Sequence, residues 1–114
     1  MPTIPYNTSI KNMIEERPEM AREMLEDALD SLIAGDVDDG RLMLRQYVNA
    51  TIGFQELAKR TGKIDKNLMR SLSPDGNPTA ENLFAIIRAC AEAEGFVIAT
   101  SVRPAREGQV PAPS

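Results

Sequence analysis

From Met20 to Ile33 the apolar residues Met20, Met24, Leu25, Ala28, Leu29, Leu32 and Ile33 fall along one helical face, while Glu23, Glu26, Asp27 and Asp30 fall on the other. Such spacing predicts an amphipathic helix with one buried stripe. Pro18 suits its first turn, where a missing N–H costs nothing, and Gly35 ends it. A second helix is predicted from an Asp36 cap to about Thr51, burying Leu44, Tyr47 and Val48. A third runs from Phe54 to Thr61, stopped by Gly62, and a fourth from Asp65 to Leu72. Ser73-Pro74-Asp75-Gly76-Asn77-Pro78 reads as a turn, with two prolines that forbid helix and a glycine for positive φ. Asn77 or Thr79 then caps a fifth helix, whose core face is Leu83, Phe84, Ile87, Cys90 and Ala91 before Gly95 closes it. The expected fold class is all-α, with about five helices.

Only Phe96 to Val102, FVIATSV, is rich enough in β-branched residues to predict a short strand. A strand needs a partner for its N–H and C=O groups, and this chain offers no second one. The expectation is a homodimer in which Phe96, Val97, Ile98 and Val102 pair with their copies across a two-fold axis. Residues 1–17, with Pro2 and Pro5 and a weak apolar pattern, predict an extended N-terminal arm. Residues 103–114 carry three prolines and little to bury, which predicts a disordered tail. Residues 18–102 are left as a single helical domain, in keeping with a length of 114 residues.

Histidine is absent and Cys90 is the one cysteine, which excludes cysteine–histidine zinc sites, histidine-based nucleophilic machinery and an intrachain disulfide. Cys90 sits in the apolar stretch LFAIIRAC and reads as a small buried thiol. With no Trp and five other aromatic residues there is little for a sugar or base to stack on. The expectation is a protein that is not an enzyme and holds neither metal nor cofactor. No apolar run can span a membrane and no secretory pattern opens the chain, so a cytoplasmic protein without a membrane partner is expected.

A net charge of −4 argues at first against nucleic acid. The average conceals a segregation. Residues 1–40 hold ten acids against three bases, a balance of −7, whereas residues 52–72 hold Lys59, Arg60, Lys63, Lys66 and Arg70 against Glu56 and Asp65, a balance of +3. An acidic front and a basic middle suggest two surfaces with different partners.

The basic stretch also carries the offsets of a helix-turn-helix over residues 54–72. Ala58 supplies the small residue where two helices touch, Gly62 the positive φ four places later, Ile64 a plug for the turn, and Leu57, Leu68 and Leu72 the apolar contacts. With the leucines inward, Asp65, Lys66, Asn67, Met69 and Arg70 are left to face outward, with Lys63 at the helix start. Arg and Asn are suited to bidentate readout of guanine and adenine edges. The Gln55 end of the third helix and the Asn77-to-Thr79 end of the fifth offer N–H groups and polar side chains to phosphates. The candidate DNA contacts are therefore Gln55, Lys63, Asp65, Lys66, Asn67, Met69, Arg70, Asn77 and Thr79. The bland alternative is a solvated basic helix.

The segment from Ala50 to Ile98, above all LSPDGNPT at Leu72 to Thr79 followed by LFAII, resembles the HigA-like antitoxins, addiction-module antidote proteins with an Xre/Cro-type helix-turn-helix. EDALDSLIAGD, Glu26 to Asp36, looks like the upstream part of that family. The resemblance implies a five-helix DNA-binding fold, homodimerisation, binding to double-stranded operator DNA, and neutralisation of a small RelE/ParE-type toxin. It places the chain as a repressor and the antitoxin of a type II toxin–antitoxin module, with a stand-alone regulator or an acidic helical adaptor as the competing readings.

Overall fold

A computed structural model of the chain describes residues 6–106, with side chains from Ile10 onward. Among the described residues six helices follow one another: α1 (Tyr6–Glu16), α2 (Glu19–Ile33), α3 (Val37–Ala50), α4 (Phe54–Thr61), α5 (Asp65–Ser71) and α6 (Ala80–Glu94). The fold is all-α, and none of these helices is long and apolar enough to cross a membrane. The expected five helices are α2 to α6, with ends displaced by a residue or so.

The sixth helix corrects the extended arm. Residues 6–16 wind into α1, which packs on α3 and, less extensively, on α2. Ile10 is buried and Ile14 partly so. Two isoleucines four apart make too narrow a stripe to stand out in a polar segment, yet a helix needs no more when a neighbour covers it. Residues 1–5 of the arm and 107–114 of the expected tail lie outside the described residues.

Helices α2 and α3 form the most extensive contact. Ala21, Leu25 and Ala28 are buried from α2, and Leu44, Tyr47 and Val48 from α3. Their close approach depends on Gly40, where a Cβ would stand 2.6 Å from Leu32 side-chain atoms and 3.2 Å from the Leu32 nitrogen. The α2 stripe is narrower than the apolar spacing implied: Ile33, in the last turn, is 85% exposed.

The core continues through Phe54 and Leu57 of α4, Leu68 and Leu72 around α5, and Ile86, Ile87, Ala89, Cys90 and Ala91 of α6. Ile86 takes the buried place expected of Phe84, which is 58% exposed on the flank of the stripe. Burial pushes the Cys90 thiol up to about 12, helped by the negative charge of Glu94, as befits an inert core thiol.

After Gly95 the chain carries no strand among the described residues. The Phe96 N–H still closes the end of α6 on the Ala91 carbonyl at 2.8 Å, and Phe96 is half-buried. Val97, Ile98 and Val102 are exposed, and the expected strand forms no ladder with any described residue of its own chain.

Candidate nucleic-acid interface

Two short helices and a loop assemble this surface. Helix α4 ends at Gly62, whose φ of 70° is the left-handed conformation expected there, with its N–H on the Ala58 carbonyl at 2.9 Å. Two residues later Ile64 is extended, with φ −83° and ψ 132°, and α5 begins. That extended step turns the Ile64 side chain outward, 63% exposed, so it does not plug the turn; Phe54, Leu57, Leu68 and Leu72 occupy the interior instead.

With Leu68 and Leu72 buried, Lys66, Asn67, Met69 and Arg70 are exposed on α5. Lys63 and Asp65 are half-buried at its start, and the Asp65 carboxylate accepts from the Lys66 backbone N–H at 2.8 Å, which ties it to the helix terminus. On α4, Arg60 is paired with Glu56 at 3.2 Å. Lys59, Lys63, Lys66 and Arg70 have no ion-pair partner among the described residues, so four cations stay available to an anionic ligand.

The loop from Ser73 to Thr79 returns alongside α5. Ser73 is held twice to the Arg70 carbonyl, through its N–H at 3.1 Å and its hydroxyl at 2.6 Å, and the Gly76 N–H reaches the Ser73 carbonyl at 2.9 Å. Gly76 does not take a positive φ as expected; it is required because a Cβ would collide with the backbone carbonyls of Ser71 and Arg70. Between loop and helix lies an open cleft of about 280 Å³ lined by Asn67, Arg70, Ser71, Asp75, Gly76 and Asn77. Three of the expected contacts, Asn67, Arg70 and Asn77, thus come together.

At the far end of the loop, Thr79 caps α6 by accepting from the Asn82 N–H at 3.1 Å. This occupies one first-turn donor of α6 and one acceptor site of the Thr79 hydroxyl, whose O–H remains to donate. Exposed Gln55 lies in the first turn of α4, where Gly53 gives no side-chain cap.

Arg41 was missed by the motif reading. Its guanidinium is buried on α3, with Nη2 donating to Asp38 Oδ1 at 2.6 Å and to the Pro74 carbonyl at 3.4 Å, while Nε has no partner among the described residues. The signal was present in the sequence: Arg41 precedes Leu44 and Val48 by three and seven residues, on the buried stripe of α3. A buried donor left unpaired costs about 1–3 kcal/mol.

No family model, curated protein or solved structure matches the chain.

Proposed function

We propose that the chain is a sequence-specific DNA-binding transcriptional repressor and the antitoxin of a type II toxin–antitoxin module, in which α4 and α5 act as a helix-turn-helix. The observation that carries the reading is the outer face of α5: Lys66, Asn67 and Arg70 are exposed together while Leu68 and Leu72 anchor the helix from behind. Asn67 and Arg70 supply the donor and acceptor patterns that distinguish base pairs in the major groove, and Lys59, Lys63 and Lys66 supply charge for phosphates. Gln55 and Thr79 flank them at helix starts.

A homodimer closed through Phe96, Val97, Ile98 and Val102 would present two copies of α5 to successive major grooves, about 34 Å apart. The exposure of the last three supports that role. The exposed acids Glu23, Glu26, Asp27 and Asp30 of α2 provide a second surface, complementary to a small basic toxin of the RelE/ParE type.

The deciding experiment is a titration of the protein with duplex from upstream of its gene at several salt concentrations. Phosphate neutralisation requires log K to fall steeply with log salt, by about 0.9 per phosphate contact. Flat, weak binding would leave the acidic adaptor as the reading. Co-purification with the product of the adjacent gene tests the antitoxin half.

A further inference from the structure

We propose that Arg41 is a positioning residue for the cleft: from α3 it holds the Ser73–Thr79 loop, and with it Asn77, in register with Asn67 and Arg70 of α5. The loop's contacts to Ser73 and Gly76 are local, made by Arg70 and Ser73. Arg41 acts across 33 residues of sequence, from a helix that contributes nothing to the cleft lining, on the Pro74 carbonyl between those two anchors.

The electrostatics separate this role from simple core stability. The Arg41 side chain is 8% exposed whereas its partner Asp38 is 90% exposed. The ion pair therefore straddles the surface, with the carboxylate in water and the guanidinium inside. Removing Arg41 strands no buried charge, since both Asp38 and the exposed Pro74 are reachable by solvent. An apolar chain of similar length would fill the same space without desolvating a cation or leaving Nε unpaired. Folding gains little from the guanidinium that a methionine would not supply. What a methionine cannot supply is the directed donor to Pro74.

The consequence for base discrimination rests on the DNA-binding reading above; the hold on the loop does not. The test is Arg41→Met, followed by thermal unfolding, amide hydrogen exchange at Ser73 and Gly76, and competition between operator duplexes differing at one base pair. The expected result is a retained melting temperature, Gly76 exchange faster by about tenfold against unchanged core amides of α3 and α6, and weakened base preference with the salt slope preserved. Asp38→Ala, on an exposed side chain, removes the acceptor that aims the guanidinium and gives a smaller acceleration in the same direction. Unchanged Gly76 exchange in both variants overturns the proposal. So does acceleration of all amides together with a fall in melting temperature, since that marks Arg41 as merely structural. A wild-type protein that binds no DNA removes the functional reading, and the exchange rates still decide whether Arg41 sets the loop.

Discussion

Gly76 lies so close to Ser71 that a Cβ at position 76 would fall well inside contact distance of the Ser71 carbonyl oxygen. The loop that walls the cleft can approach α5 only because residue 76 has no side chain. Gly76→Ala is expected to cost about 1–3 kcal/mol, as overpacking against backbone does, read as a lower urea midpoint. It should also alter binding at the cleft more than binding of phosphate elsewhere.

Arg70→Ala and Asn67→Ala are each expected to lose about 1–3 kcal/mol of discrimination at one base pair. Lys66→Ala should weaken all sequences alike and reduce the salt slope by about 1. Competition binding with single-base operator variants separates the two patterns, and no change in the Arg70→Ala, Asn67→Ala double variant would remove α5 as the reading element.

Because Ile10 is buried and α1 rests on α3, residues 6–16 belong to the folded domain. Ile10→Ala is expected to destabilise by about 2–5 kcal/mol, and deletion of residues 1–16 to lower the melting temperature. A truncated protein that melts with the full chain would show that α1 adds no stability.

Burial raises the Cys90 thiol from 9.0 to about 12, with Glu94 adding to it, and moves the Tyr47 hydroxyl upward from 10.0 for the same reason, with Cys90 and Glu94 contributing. Both groups hold their protons more tightly in the folded than in the unfolded state. The Cys90 contribution is whole below pH 9 and is lost as pH rises from there toward 12, whereas that of Tyr47 begins to fall only above pH 10. Denaturation at increasing pH should show a loss approaching about 1.4 kcal/mol per pH unit for each group as it ionises in the unfolded chain. Cys90→Ala should flatten the onset of that decline.

Val97→Pro and Ile98→Asp should shift the species in solution from dimer toward monomer and reduce operator affinity, because a monomer reaches one half-site only. Sedimentation of the wild type as a monomer at micromolar concentration would exclude the strand-closed dimer.

Helices α2 to α6 were legible in the chain because each carries an apolar stripe, and α2, α4 and α6 a glycine stop as well. Gly35, Gly62 and Gly95 take the positive φ that ends a helix, and Leu25, Ala28, Leu44, Val48, Ile87 and Cys90 recur at helical spacing. The grouping of Asn67 with Arg70 was legible too, since Leu68 and Leu72 fix which side of α5 faces out. These are local properties, set by neighbours within a turn or two. What tertiary structure decided was what lies opposite. Ile10 and Ile14 make α1 part of the domain because α3 is there to cover them, Ile33 and Phe84 are exposed because no helix lies over their flank, and Gly76 is needed for the nearness of Ser71 and not for its φ. Arg41 is the clearest case: its spacing placed it on a buried stripe, but its contact with Pro74 depends on a loop 33 residues away being folded back onto α3. Periodicity reports which face of a helix is apolar. Which neighbour meets that face, and at what distance, is settled only when the helices pack.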